Sequence, residues 1–364
     1  MKATQKLHEL GQNIWIDNIT RDLLNSGLLK HAIEEWSVTG LIFNPIAFKH
    51  AIKNSAVYDA AIRKKLKKDL LGEDLFLELA VEDLRHAADL FRSTYDQTDG
   101  MDGWVSLDVS PLLAYDTTKT LIAIKDLYMR ARRPNLLITI HGTKGNLPVV
   151  EEAIFAGVPV NVTLLFSWDH YLAAADAFLC GIERRITDGL SPNVGSVVSL
   201  FISNWDAAVM EKIPDALRNQ LGLTIAKRTY RAYREFLNSP RWLRSYNAGA
   251  RPQRLLWAGT KSKDPTISDV FYVEALAAPL TVNTMSESSL KTFADHGDLG
   301  ELMPADGGDC EAVLSRFVQA GIDIDALAAQ LQDEAVTSFV KSWIELIEAI
   351  AVKCAALTQE RGAV

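Results

Sequence analysis

The stretch from residue 135 to residue 145 carries the side chains best suited to chemistry. It reads Asn-Leu-Leu-Ile-Thr-Ile-His-Gly-Thr-Lys-Gly, an apolar run that ends in a glycine-bounded loop. This pattern is typical of a strand that is buried on both faces and ends at a functional site. Because side chains alternate along a strand, Leu137, Thr139 and His141 share one face, which becomes polar towards the carboxyl end. Imidazole titrates near neutrality, so His141 is a candidate acid–base group.

Eight strand-like runs are expected to position this stretch. Most are followed by a helical pattern, and eight alternations of strand and helix favour a closed (β/α)8 barrel, although the pattern alone also allows an open sheet. In such a barrel the carboxyl ends of the strands meet at one mouth, where chemistry takes place. The predicted strands are Ile14–Asp17, Gly40–Asn44, Trp104–Val109, Leu136–His141, Val158–Phe166, Val197–Ser203, Arg254–Thr260 and Leu280–Met285.

Two helical regions are predicted to extend the barrel. One is an insertion over about residues 46–100, and the other is a carboxyl-terminal region over about residues 309–360. Near the end of the chain, Phe339 and Trp343 have helical spacing, which predicts an amphipathic helix that packs back on the barrel. We therefore expect residues 1–364 to form one barrel domain.

Composition narrows the function classes. The chain has 364 residues, 48% of them hydrophobic, and a formal net charge of −8 without a long basic block, so nucleic acid is not an expected partner. It contains no apolar run of transmembrane length, and its three scattered cysteines indicate a reducing cytoplasm. Neither a metal-ligand cluster nor a dinucleotide fingerprint is evident, so we expect no metal and no cofactor. The expected partner is a small-molecule substrate, and the protein is expected to be a monomer or a homodimer.

The motifs around the fourth and fifth strands resemble those of the transaldolase family, in its long bacterial type. The resembling segments are Arg-Pro-Asn at 133–135, the stretch that follows it, and Val-Asn-Val-Thr-Leu-Leu-Phe-Ser at 160–167. The resemblance covers nearly the whole chain and implies a (β/α)8 barrel of the class I aldolase type. In the family, the fourth strand reads Ile-Lys-Ile-Pro-Gly-Thr, and its lysine forms a Schiff base with the substrate ketone. Here Thr139 stands at the lysine position and His141 at the proline position.

The resemblance also implies roles for polar residues that this chain retains. Asp17 matches the family's proton-handling aspartate, although an aspartate before a helix is often only an N-cap. Asn44 matches an asparagine that contacts substrate hydroxyls, and Asp108 takes the place of a glutamate that is one methylene longer. The other matches are Thr163, at the position of a threonine that holds a catalytic water, Asn161 and Ser199.

Several strand ends depart from the family pattern. Ile42 and Phe43 replace small polar residues, which predicts a pocket lined with hydrocarbon. Asn204 replaces the arginine that holds phosphate in the family, and a neutral amide cannot take over that role. The substrate-binding set is completed by Trp168, where relatives carry arginine, and by Thr260 and Lys261 at the end of the seventh strand.

These observations predict a transaldolase-like enzyme with a repurposed active site. Its acid–base chemistry would be an aldol or retro-aldol reaction, a dehydration, an isomerisation or a cyclisation. The substrate would be less phosphorylated and more apolar than that of the family, and the role would suit specialised metabolism. One alternative is that a relocated lysine, Lys261 or Lys144, restores the Schiff base. Another is a catalytically inactive ligand-binding homologue. The expected catalytic set is Asp17, Asp108, His141 and Thr163.

Overall fold

Eight parallel strands close into a barrel, which confirms the predicted fold. The computed structural model describes residues 2–113 and 116–362, so the remaining positions of the predicted domain lie outside the described residues. Each strand pairs with the next, and the first pairs with the eighth. The strands are β1 (Gln12–Ile16), β2 (Val38–Ile42), β3 (Trp104–Asp108), β4 (Leu136–His141), β5 (Val160–Leu165), β6 (Ser196–Phe201), β7 (Arg254–Ala258) and β8 (Thr281–Met285).

Helices connect the strands, and four of them lie between β2 and β3. No helix in the described part of the chain is long and apolar enough to cross a membrane. The helices are α1 (Ala3–Glu9), α2 (Arg21–Asn25), α3 (Leu28–Trp36), α4 (Pro45–Asn54), α5 (Asp59–Leu66), α6 (Gly72–Leu90), α7 (Arg92–Gln97), α8 (Thr117–Ala131), α9 (Leu147–Phe155), α10 (Trp168–Thr187), α11 (Ser203–Val209), α12 (Leu221–Leu237), α13 (Pro240–Asn247), α14 (Phe271–Ala275), α15 (Glu287–His296), α16 (Cys310–Gln319) and α17 (Ile324–Gly362).

The barrel interior changes from apolar to polar along its axis. Side chains alternate along each strand, so every second residue points inward. The lower inward positions form one buried apolar cluster, which includes Trp15, Trp104, Leu137, Val197, Leu256 and Val282. The next inward positions, nearer the carboxyl ends, are buried and polar: Ser106, Thr139, Asn161, Ser199 and Thr284.

A buried ion pair closes the amino-terminal end of the barrel. Arg254 Nη2 lies 3.1 Å from Asp102 Oδ1, and the same oxygen accepts a hydrogen bond from Trp15 Nε1 at 3.0 Å. Gly40 faces this indole, and a Cβ atom at position 40 would lie 2.6 Å from Trp15 Nε1. A residue without a side chain is therefore required beside the indole. The guanidinium and the indole together compensate the buried Asp102 carboxylate.

The last helix, α17, packs on the barrel and crosses its mouth. Gln332 Nε2 donates hydrogen bonds to the backbone oxygen of Leu164, at 2.8 Å, and to that of Gly142, at 3.3 Å. Both acceptors lie at the carboxyl ends of strands, and Leu164 has a positive φ of 61°. Further along the helix, Trp343 Nε1 donates to Glu73 Oε1 of α6 at 3.1 Å. These bonds fix the rotation of α17 over the strand ends.

Candidate active site

A cavity of about 440 Å³ lies between the strand ends and α17. Its lining combines polar groups from the barrel with a mostly apolar wall, which is the usual composition of a small-molecule site. Most of the predicted site residues line it: Asp17, Ile42, Phe43, Asn44, Asp108, Thr139, Asn161, Thr163, Ser199 and Asn204. The helix contributes Leu331, Glu334, Ala335, Ser338, Phe339 and Ser342.

Asn44 orients one carboxylate of the cavity. Its Oδ1 caps α4 by accepting hydrogen bonds from the backbone nitrogens of Ile46, at 2.9 Å, and Ala47, at 3.2 Å. Because the oxygen is used by the cap, Nδ2 is turned towards Asp17 and donates to its Oδ2 at 3.2 Å. The start of α4 therefore sets the position of the Asp17 carboxyl group at the end of β1.

Hydrogen bonds connect the inward side chains of four neighbouring strands. Thr139 Oγ1 lies 2.6 Å from Ser106 Oγ, and Asn161 Nδ2 donates to the same serine oxygen at 3.5 Å. Ser199 Oγ donates to Asn161 Oδ1 at 2.8 Å. These contacts form a continuous polar floor under the cavity. Our sequence analysis missed Ser106, although it lies two residues before Asp108 and therefore faces the same way.

Asp108, which is buried, and Asp17, which is partly exposed, are the acids that the barrel contributes to the cavity. Asp108 is only 3% exposed, and its Oδ2 has no hydrogen-bond partner among the described residues. Burial raises the pKa of Asp108 to about 8; the Thr139 hydroxyl opposes this shift and the charge of Asp17 adds to it. Burial also raises the pKa of Asp17 to about 6, against the hydrogen bond from Asn44. At pH 7, Asp17 is mostly ionised and Asp108 mostly protonated.

The charged residues that line the cavity are all acidic. Among the described lining residues there is no lysine, arginine or histidine, and the third carboxylate is that of Glu334. The two lysines considered as Schiff-base candidates, Lys144 and Lys261, are exposed and do not line the cavity. The described lining therefore contains no amine that could attack a ketone and no guanidinium that could hold a phosphate.

His141 differs from the expectation in its surroundings. Alternation places it above Thr139 on β4, but its ring packs edge-on against Phe339 of α17, with 4.7 Å between ring centroids, and does not line the cavity. The side chain is 6% exposed, and burial lowers the pKa of its imidazole to about 4. A neutral ring at pH 7 replaces the titrating imidazole that the sequence suggested, because α17 removes water from it.

Two other predicted binding residues also lie outside the cavity lining. Trp168 begins α10, and the guanidinium of Arg228 lies 3.4 Å from the centre of its ring. Thr260 is buried and donates from Oγ1 to the backbone oxygen of Thr284 at 2.9 Å. Both side chains hold neighbouring elements in place. Thr284, the hydrogen-bond partner of Thr260, does line the cavity.

The helical wall of the cavity is the largest part of the site that our sequence analysis missed. Glu334, Ser338 and Ser342 repeat at four-residue intervals, which is a visible helical signal for one polar edge. The predicted packing of this helix rested on its apolar positions, among them Phe339 and Trp343. A polar edge beside an apolar face was the available sign that this helix also meets a ligand.

Comparisons with known proteins agree with this architecture. The profile of the family Transaldolase/Fructose-6-phosphate aldolase matches residues 14–350. The chain is 39% identical over 363 residues to a transaldolase of Thermobifida fusca, covering 97% of this chain and 99% of that protein. It is 38% identical over 353 residues to a transaldolase of Saccharopolyspora erythraea, covering 95% and 96%. The chain therefore belongs to the Transaldolase/Fructose-6-phosphate aldolase family.

Proposed function

We propose that this family member carries out acid–base chemistry on a keto polyol, without a Schiff base on the fourth strand. Thr139 faces the cavity at the position where the resemblance implies the lysine, and a hydroxyl group cannot form an imine. The observation that carries the proposal is the pair of acids with raised pKa values, Asp17 and Asp108, in a cavity whose described lining holds no cation.

The two acids are suited to opposite roles. Different environments separate their pKa values, which is how enzymes obtain a base and an acid from two carboxyl groups at one pH. Asp17, ionised at pH 7, accepts a proton from a substrate hydroxyl or from the carbon next to the ketone. Asp108, protonated, donates to the ketone oxygen as the electrons move there. This step is common to retro-aldol cleavage, dehydration and isomerisation.

The substrate of the proposed reaction is less phosphorylated and more apolar than that of the family. A phosphate dianion gains most from guanidinium or ammonium partners, and the described lining offers neither. Asn204 lines the cavity where the resemblance implies the phosphate-binding arginine. Hydrocarbon from Ile42, Leu331 and Phe339 forms part of the wall. A sugar without a phosphate suits this lining because it exposes both hydroxyl groups and C–H faces.

His141 has a positioning role in this proposal. The neutral imidazole supports the ring of Phe339, and Phe339 forms part of the cavity wall. We therefore assign proton transfer to the two aspartates, and we assign to His141 the placement of α17 over the substrate. Thr163, which pairs with His141 in the register of β4 and β5, lines the cavity and is retained as the candidate group for holding a water molecule.

Exchange of the protons next to a ketone tests the acid–base step. Fructose in D2O, followed by NMR, should exchange at C1 or C3 faster with the protein than without it. Asp17→Asn and Asp108→Asn should each lower the catalysed rate about 100-fold, the usual contribution of a positioned acid or base. Asp333→Asn, which changes an exposed carboxylate on α17, is the matched control and should leave the rate unchanged. Equal rates for the wild type and both cavity variants would contradict the proposal.

Borohydride trapping tests the absence of a Schiff base. Reduction in the presence of dihydroxyacetone, followed by intact mass measurement, should leave the wild-type mass unchanged. Thr139→Lys places an amine in the cavity and should gain the mass of one reduced adduct, so it serves as the positive control. A wild-type adduct located on Lys144 or Lys261 would instead support the relocated-lysine alternative.

A further inference from the structure

The edge of α17 that faces the cavity is polar along its length. Glu334, Ser338 and Ser342 occupy successive helical turns and line the cavity opposite the strand ends. Leu331 and Phe339 flank this edge and contribute the apolar part of the same wall. A substrate that reaches the two aspartates with its ketone would therefore meet this edge with its other end.

The contacts of α17 hold this edge at the opening of the cavity, where Glu334 and Ser338 line the cavity and are also exposed to solvent. Gln332 is tied to the backbone oxygens of Gly142 and Leu164, and Phe339 packs against His141. Gln332 precedes Glu334 along the helix and Phe339 follows it. The orientation of Glu334 towards the cavity is thus set by the fold of the barrel mouth and not by the helix alone.

The charge at this wall has no positive partner in the described structure. Glu334 Oε1 accepts a hydrogen bond from Gln330 Nε2 at 2.7 Å, and the residue makes no ion pair with the described residues. Deeper in the cavity, Asp108 Oδ2 is buried without a hydrogen-bond partner. Every charged side chain of the described lining is a carboxylate, so a cation from the ligand would be the first positive charge in the cavity.

We propose that the polar edge of α17 determines substrate specificity, and that Glu334 binds a protonated amine at the end of the substrate remote from Asp17 and Asp108. Ser338 and Ser342 hold the neighbouring hydroxyl groups. The inference rests on the proposed function in one respect, because it places the reacting ketone at the two aspartates. The substrate class is an amino-substituted ketose or related polyol.

The chemistry of the wall favours an amine over the other common sugar end groups. Hydrogen bonds between an ammonium group and a carboxylate are stronger than those between neutral groups. A terminal hydroxyl forms only a neutral-to-charged hydrogen bond with Glu334. A terminal phosphate brings negative charge towards Glu334 and Asp17 and is repelled by both. The expected order of affinity is therefore amine, then hydroxyl, then phosphate.

Three ketoses that differ at one carbon test this order. Binding of 6-amino-6-deoxyfructose, fructose and fructose 6-phosphate is measured by calorimetry at pH 7 on the full chain. The amine should bind about tenfold tighter than fructose, and the phosphate about tenfold weaker, since one charge-assisted hydrogen bond typically contributes about that factor. Glu334→Gln should bring the amine close to fructose in affinity. Asp333→Asn, on the same helix but outside the cavity lining, should keep the wild-type order.

Several results would overturn the inference. Fructose 6-phosphate could bind as tightly as the amine, Glu334→Gln could leave the preference for the amine unchanged, or none of the three ketoses could bind. The measurement needs no turnover, so it separates the two proposals. Loss of the amine preference with normal proton exchange on fructose would reject only the specificity assignment. A trapped wild-type Schiff base with the amine preference intact would reject only the proposed chemistry.

Discussion

A buried carboxylate lies at each end of the barrel, and the two carboxylates have different charged neighbours. At the amino-terminal end, Asp102 is paired with Arg254 and receives a hydrogen bond from the Trp15 indole. At the carboxyl-terminal end, Asp108 has no cation beside it among the described lining residues of the cavity, and the charge of Asp17, another acid, raises its pKa further. Each aspartate leaves one carboxylate oxygen without a hydrogen-bond partner among the described residues, so the difference lies in the neighbouring charge, which is a cation at Asp102 and another acid at Asp108.

This difference separates structural carboxylates from reactive ones. A paired carboxylate keeps its charge and holds elements together, whereas an unpaired buried carboxylate is driven towards its protonated form. Proteins retain such destabilised groups mainly where they serve a function. The comparison therefore supports the assignment of the mouth of the barrel, and not its amino-terminal end, as the reactive region.

Breaking the paired end should have the largest effect on stability. Arg254→Met leaves Asp102 buried without its cation and should lower the free energy of unfolding by about 3–5 kcal/mol, measured by urea denaturation. Arg244→Met, at an exposed position of α13, is the control and should change it by less than about 0.5 kcal/mol. If the free energy of unfolding of Arg254→Met fell no more than that of Arg244→Met, the ion pair would not be what stabilises this end of the barrel.

Replacing Asp108, which has no cationic partner, should raise the free energy of unfolding. The pKa of Asp108 is about 8 in the fold, above its ordinary value, so its contribution to stability is present at low pH and is lost as pH rises from about 4 to about 8. Asp108→Asn has no such loss. At pH 9 it should be more stable than the wild type by on the order of 2 kcal/mol, with a smaller difference at pH 5.

Urea denaturation at pH 5, 7 and 9 measures this trend. Asp333→Asn, which removes an exposed carboxylate, should show no comparable growth of stability with pH relative to the wild type. The opposite result, in which Asp108→Asn becomes less stable than the wild type as pH rises, would show that the fold stabilises the ionised Asp108 carboxylate.

The smallest expected effect concerns His141, which ends β4 at the mouth of the barrel. Because its pKa is lowered to about 4, His141→Asn should remove no limb near pH 6.5 from the activity profile. It should instead weaken substrate binding by about 1 kcal/mol through the lost contact with Phe339, raising KM more than it lowers kcat. Disappearance of a limb near pH 6.5 would restore the acid–base role that the sequence suggested.

The sequence was most informative where a local pattern alone decides the structure. Strand β4 has the predicted bounds, and Asp17 and Thr139 face the cavity because inward alternation at a strand end depends only on neighbouring residues. The surroundings of His141 depend on Phe339, which lies nearly 200 residues further along the chain. Local patterns contain no information about such a contact, so the lowered pKa could not be predicted, whereas the polar edge of the helical wall was visible in the spacing of Glu334, Ser338 and Ser342.

The rings of Trp15 and Trp104 fill the barrel axis below the cavity. A ligand therefore enters and leaves on one side, through the gap between α17 and the strand ends. In a reaction that releases one fragment before accepting another, the first must pass out by the route through which the second comes in. Turnover would then follow a strict order of release before binding, because both fragments use the same opening.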